Sequence, residues 1–390
     1  MLAAKARALV EAEVGKGCDR NLLPNPVALE PVYSQITITK DIMALKDRPC
    51  WIYENPPAEE YLVRFRVWMS PDQPFDWDCF ELFLRQTCLV SNRVGLEIVG
   101  NQERIAVSLL CHKQDIPVVT TAFCGKFRLC KLSSLDSDPF FDVSPGAWED
   151  IRFNDYLPGP PYSHLLTRPN ELHVCPYECL ITAMANIPAP AVGIYQVLFQ
   201  PVDPTHNWHR NIEILMDLEY VAKLVGNVGH FQRYAMQAPS GDLRQMAGHI
   251  ETKAHNDKPF YAVAVRVAVL GTENLTQEYM QSMATFSTLF QHGGIHMQVV
   301  TEADYKAKFS PPQIHRMFQL GLTYRPGFLV NSAELTGLTH FPPASIVERL
   351  EVAMDTLDAL SIASNNLSDC LLYTSPSPRD LSTSRMPSSA

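Results

Sequence analysis

An α+β fold built of two similar units is what this sequence predicts, on three observations. Residues 61–69 alternate, with Tyr61, Val63, Phe65, Val67 and Met69 on one face and Arg64 and Arg66 on the other, the pattern of a half-buried strand. Phe80, Phe83, Leu84 and Cys88 then recur at helical spacing, so the period changes from strand to helix within a short stretch. Both periods return in the second half of the chain, as a helical pattern at Tyr177–Asn186 and apolar strands at Val192–Val202 and Phe260–Leu270.

Taken in order, residues 1–60 predict a helix at Met1–Val14 and a segment spaced by prolines (Pro24, Pro26, Pro31, Pro56, Pro57). Tyr61–Met69 is the first strand and Asp76–Val90 an amphipathic helix. Val94–Val99 and Arg104–Leu110 form a hairpin around Gly100 and Asn101. A helix at Asp115–Cys124 and a strand at Phe127–Leu132 complete a βαββαβ order over 61–134, the split-βαβ or ferredoxin-like plan. Residues 135–165 are rich in Asp and Pro (Pro139, Pro145, Pro158, Pro160, Pro161), hold no period and read as a linker. The second unit spans 166–344. It adds helices at His209–Val225, Asp242–Lys253, Leu275–Gln291 and Pro312–Leu320, and a strand at Ile295–Val300. Its element types repeat those of the first unit with longer insertions, so it reads as an expanded repeat, with mixed or antiparallel sheets and packed helices.

The stretch Phe328–Pro343, FLVNSAELTGLTHFPP, closes that unit. A short apolar strand runs into Asn331, which can cap a helix whose third position is Glu334. Ser345 and Glu348 repeat that box and open a helix over Ser345–Leu360, with Ile346, Leu350, Met354, Leu357 and Leu360 on one face. Residues 345–370 thus read as a helix leading out of the domain. Residues 371–390, LLYTSPSPRDLSTSRMPSSA, have almost nothing to bury and resemble translated sequencing-adapter read-through; otherwise they read as a disordered tail.

With 390 residues, 46% of them hydrophobic, the chain can bury cores in two or three domains. Its longest apolar run, Tyr261–Leu270, is interrupted by Arg266 and falls short of the roughly 20 residues of a membrane span. A net charge of -10 argues against broad nonspecific nucleic-acid binding, which needs clustered Lys and Arg. Ten cysteines scattered through expected helices and strands read as reduced thiols, and the expected location is cytoplasmic.

The chemistry-bearing patterns are few. A phosphate-cradling loop needs glycines followed by Lys and Ser or Thr, and neither Gly15-Lys16-Gly17 nor Gly125-Lys126-Phe127 supplies it. Cys175 and Cys179 with His173, and His206 with His209, are ligand types for zinc, yet Cys179 falls on an apolar helical face where a thiol is a small hydrophobe. Cys111 and His112 are strand neighbours that point to opposite faces. Asp115, Asp217, Glu219 and Glu251 read as helix caps or solvated faces, and Phe80, Phe83, Met216, Met283 and Phe286 as core. His340 reads as a packing or capping residue of the corner. No catalytic, cofactor or metal residue is assigned, and the chain is not expected to be an enzyme.

Three segments together, VGLEIVGN (Val94–Asn101), PFYAVAVRVAVLG (Pro259–Gly271) and the FLVNSAELTGLTHFPP corner, resemble the non-ATPase N-terminal region of HerA, FtsK and VirD4-like DNA-translocating and conjugative coupling ATPases of bacteria. In that family a corner of pattern N-S/T-x-E-L-x-x-L-x-H-F-P precedes the motor; Asn331, Ser332, Glu334, Leu335, Leu338, His340, Phe341 and Pro342 match it. The resemblance covers roughly 60–350, and no Walker motif follows, as in a chain truncated before its motor domain. It implies an accessory region serving assembly, partner docking or motor control in type IV secretion. ATP and Mg would belong to the missing motor, homo-oligomers would form through that motor, other partners would be proteins of a DNA-transfer machine, and DNA would be met indirectly. The competing expectation is a stand-alone α+β binding or scaffold protein.

Overall fold

The computed structural model describes residues 61–201 and 258–354, less short gaps within them, together with Lys253. The helices expected at Met1–Val14 and His209–Val225, all of Asp242–Lys253 but isolated residues at its end, the box at Ser345 and Glu348, and the 371–390 tail lie outside the described residues.

The first unit runs β1 (Leu62–Trp68), α1 (Trp77–Thr87), β2 (Val94–Gly100), β3 (Arg104–His112), α2 (Ile116–Lys126) and β4 (Lys131–Ser134). The Asp76 side chain starts α1 by accepting from the Asp78 amide at 2.9 Å, and Arg85 in its last turn faces the negative end of the helix dipole. The β2–β3 hairpin turns on Asn101, whose Oδ1 accepts from the Glu103 and Arg104 amides at 3.0 and 3.2 Å.

The second unit runs β5 (Arg152–Leu157), α3 (Pro176–Ala185), β6 (Val192–Pro201), β7 (Phe260–Leu270) and α4 (Glu273–Ala284). It continues through the small strands β8 (Gln291–His292) and β9 (Ile295–His296) to β10 (Gln298–Thr301). After it come α5 (Pro311–Gln319), β11 (Phe328–Asn331), α6 (Ser332–Leu338) and β12 (Ala353–Met354). Prolines at the first turns of α2, α3 and α5 cost no hydrogen bond, because those amides have no partner within a helix.

Both units share one sheet of order β10-β5-β7-β6-β2-β3-β1-β4. Each half has the same internal order, β4-β1-β3-β2 and β10-β5-β7-β6, which is the ferredoxin-like arrangement. They meet where β2 runs antiparallel to β6 from Val94 opposite Phe199 to Gly100 opposite Gly193. A pseudo-two-fold axis therefore passes near Glu97 and Gln196, which face each other at the middle of this seam. β11 continues the edge of β7 beyond β5, pairing Phe328–Asn331 with Phe260–Val263.

One face of the sheet packs against α1, α2, α3, α4 and α6 in a single large core that includes Phe80, Phe83, Phe123, Tyr195, Phe286 and Leu335. The opposite face carries a smaller core in which Phe140, Trp148, Phe153 and Ile194 meet Ile314, Met317 and Phe318 of α5. Burial of each such side chain contributes about 1.5–3 kcal/mol.

The fold class is as expected, and four elements differ from the sequence reading. The linker expected at 135–165 contains β5, the first strand of the second unit. Phe127, expected to open a strand, instead packs in the aromatic cluster of α1 and α2, and the strand is Lys131–Ser134. The helix expected over Leu275–Gln291 ends at Ala284 in a 3-10 turn, Thr285–Leu289. The helix expected over Ser345–Leu360 does not persist, because Ala353 and Met354 pair in parallel with Arg104 and Ile105 of β3.

Candidate functional site

The corner after β11 is buried throughout and held by hydrogen bonds to distant segments. Asn331 ends the pairing with β7 opposite Phe260, and the Ser332 amide donates to Pro259 O at 3.0 Å. The expected capping box is formed: Asn331 Oδ1 accepts from the Glu334 amide at 3.0 Å, and Glu334 Oε2 accepts from the Asn331 amide at 2.9 Å. Glu334 does more than cap. Its other oxygen, Oε1, accepts from the Leu166 amide at 2.7 Å and from Lys253 Nζ at 3.2 Å, so one fully buried carboxylate ties together three distant segments.

All seven residues of α6 are buried. Its far end is satisfied by the second unit, where the Tyr177 hydroxyl donates to Gly337 O at 3.2 Å and the Tyr195 hydroxyl to Leu338 O at 2.7 Å. Burial pushes both phenols well above their ordinary pKa, so they remain donors. Gly337 allows this approach, since a Cβ there would stand 3.1 Å from Phe290 Cε1. Toward the first unit, Ser332 Oγ donates to Glu81 Oε1 at 3.2 Å, and Lys258 Nζ reaches the same oxygen at 2.9 Å. Burial opposes ionisation of Glu81, but Lys258 and Arg85 outweigh it and hold the carboxyl below its usual range.

His340 and Phe341 finish the corner against α1 and α2. Phe341 lies 5.1 Å from the Phe80 ring and 4.9 Å from Phe127. The His340 ring is enclosed by Phe75, Trp77 and Phe80, with centroids 4.0, 5.0 and 4.9 Å away. Its Nδ1 lies 2.7 Å from Phe341 O and its Nε2 3.1 Å from Asp76 O. Burial dominates over these two carbonyls and lowers its pKa to about 4. The eight positions of the motif, Asn331, Ser332, Glu334, Leu335, Leu338, His340, Phe341 and Pro342, are thus all buried and brought together in one joint between α1, β7 and the second unit.

A second polar assembly lies on the opposite sheet face, at the seam. Glu97, fully buried, accepts from Arg64 Nε and Nη2 at 2.6 and 2.9 Å, from Ser108 Oγ at 3.0 Å and from Gln196 Nε2 at 2.6 Å. Arg266 Nε donates in turn to Gln196 Oε1 at 2.5 Å. Burial resists the Glu97 charge, yet Arg64 and the amide and hydroxyl donors hold its carboxyl below the usual range; burial likewise lowers Arg266 to about 10. The row runs across six strands through the facing pairs Arg66–Ser108, Ser108–Glu97, Glu97–Gln196, Gln196–Arg266 and Arg266–Asp155. Sequence reasoning missed it. The signal was a polar residue at the centre of an apolar strand, Glu97 in VGLEIVG, Arg266 in FYAVAVRVAVL and Gln196, with Gln200 beyond it, in VGIYQVLFQP.

Among the described residues the spaces beside these assemblies are small. The interstice bounded by Tyr177, Leu180, Tyr195, Phe286 and Gly337 has no room for water, and the recess beside Arg93, His112 and Gly321 holds about 10 Å³, one water at most. Asp115, expected as a helix cap or on a solvated face, stands at the N-cap of α2 but is buried and makes no side-chain cap bond; its carboxylate instead accepts from the Ser91 and Asn92 amides, each at 2.9 Å. Cys111 and Cys175 are pushed up by burial to about 12 and about 11, so both stay protonated thiols at neutral pH. His173, His206 and His209 lie outside the described residues, and among those described no three His, Cys, Asp or Glu side chains are grouped to hold a metal. No family model matches this chain, and no curated protein matches it.

Proposed function

We propose that this chain is an accessory, non-catalytic region of a DNA-translocating ATPase of the HerA, FtsK and VirD4-like group, serving assembly, partner docking or motor control in type IV secretion. The observation that carries the reading is the Asn331–Pro342 corner. Its pattern resembles that of the region preceding the motor in the group, and every matched position is buried in a joint between the two units. A buried joint of this kind suits a region whose position must be passed to a following domain. In this reading ATP and Mg are bound by the motor, homo-oligomers form through the motor, DNA is met indirectly, and the protein works in the cytoplasm. Among the described residues no helix is long and apolar enough to cross a membrane.

The test is to read the native gene past the codon for Cys370 from the source DNA with long reads. The expected result is an open frame that continues through a strand into G-x-x-x-x-G-K-S/T. A natural stop at Ala390 would overturn the reading and leave a stand-alone α+β binding or scaffold protein as the better account. Purified as it stands, the chain is expected to turn over no ATP above background.

A further inference from the structure

The last turn of α5 is held in an unusual way. A helix ends with carbonyl groups that have no partner inside it, and those of α5 are met by side chains from both units. Arg64 of β1 donates to Gln319 O at 2.6 Å, Gln196 of β6 to Phe318 O at 3.0 Å, and Arg266 of β7 to Met317 O at 3.1 Å and Leu322 O at 2.5 Å. Arg93, in the turn before β2, donates to Gly321 O. Three of these donors, Arg64, Arg93 and Arg266, are cations placed at the negative end of the helix dipole, and the Arg266 guanidinium also lies 4.0 Å from the centre of the Phe318 ring.

Two of these side chains, Arg64 and Gln196, bind Glu97 at the seam, and Arg266 joins the same network through Gln196. Arg64, Gln196 and Arg266 each divide their donors between the seam network and α5. If α5 lifts, Gln196 and Arg266, both buried, lose carbonyl partners that no other described group replaces. If Glu97 loses its charge, Arg64 loses the carboxylate that orients its fork, and Arg266 loses a nearby attractive charge.

We propose that α5 is a strap whose docking and the pairing of the two units are coupled, so that each is weakened when the other is disturbed. Coupling of this kind is reciprocal.

The test uses hydrogen exchange measured by mass spectrometry on the full chain. Glu97→Gln is expected to speed exchange of α5 amides by at least about tenfold, the size of one lost charge-assisted hydrogen bond. Phe318→Ala is expected to speed exchange in β2 and β6 beyond that in a Phe83→Leu control, which weakens the other core. Should Glu97→Gln fail to fold, Arg64→Lys keeps the charge and loses the fork, and α5 should again open faster. Wild-type exchange in α5 for Glu97→Gln or Arg64→Lys, or equal changes in β2 and β6 for Phe318→Ala and the control, would overturn the coupling.

Discussion

Lowering the pH should destabilise this fold through one residue, His340. Its ring is buried among Phe75, Trp77 and Phe80, and burial lowers its pKa from 6.5 to about 4. Above pH 6.5 the imidazole is neutral in both folded and unfolded chains, and the corner keeps its full stability. Below that value the unfolded ring takes a proton that the folded ring refuses until about pH 4, so stability falls across this window. A displacement of this size corresponds to about 3 kcal/mol, lost in full once the pH is below both values.

An opposing argument comes from the same geometry. Phe341 O and Asp76 O are both acceptors, and a neutral imidazole can donate to only one of them. An imidazolium would satisfy both, with the faces of the surrounding rings to stabilise its charge. Removal from water outweighs this, because the carbonyls are dipoles and the Asp76 charge, which favours the proton, acts more weakly than burial. His340→Gln separates the two, since the amide donates without titrating. The variant is expected to lose about 1–2 kcal/mol at pH 7 from packing, measured by urea unfolding, and the gap to wild type should shrink as the pH falls and reverse by about pH 4, because wild type loses about 3 kcal/mol over that window. Comparing two chains that share every other titrating group isolates this residue. A gap that stays constant between pH 7 and 4 would refute the argument. A gap that widens would mean that the buried ring carries the proton.

Three further outcomes follow from contacts already described. Gln196→Glu sets a second carboxylate against Glu97 across a 2.6 Å contact and should cost about 2–4 kcal/mol; adding Glu97→Gln moves the charge to Arg266 and should recover at least about 1 kcal/mol, whereas strict additivity in urea unfolding would contradict a shared network. Gly337→Ala should cost about 1–3 kcal/mol because of Phe290, while Gly125→Ala, with nothing within 4 Å, should raise the melting temperature through helix propensity; the reverse ranking would refute the placement of α6. Glu334→Gln can still cap α6 but leaves Lys253 without its carboxylate, and a fall of about 3 kcal/mol is expected; an unchanged melting temperature would deny the ion pair a structural role.

Local pattern revealed the elements whose environment is asymmetric. β1 alternates because one face enters the large core while Arg64 and Arg66 point the other way, and the Asn331 box is written in adjacent residues. β5 escaped for the opposite reason. Phe153 and Tyr156 are both fully buried on opposite faces, while Asp155 sits in the polar row, so RFNDYL has no period. The spacing of Ile346, Leu350 and Met354 suits a helix, but the pairing of Met354 with Ile105 is decided by a strand far away in sequence.

The two polar assemblies divide along the same line. The motif residues at the corner could be named in advance because a capping box works within four positions, but the reach of Glu334 to Leu166 and Lys253 could not. At the seam nothing is local: Arg64, Glu97, Gln196 and Arg266 come from four strands, and Glu97, Gln196 and Arg266 each alone look like a defect in an apolar run. Only the register that sets Glu97 opposite both Ser108 and Gln196 turns those defects into one network. A buried charge without partners is too costly to persist in a strand, so several lone polar residues centred in apolar strands of one chain are evidence that the strands share a sheet and that those positions meet.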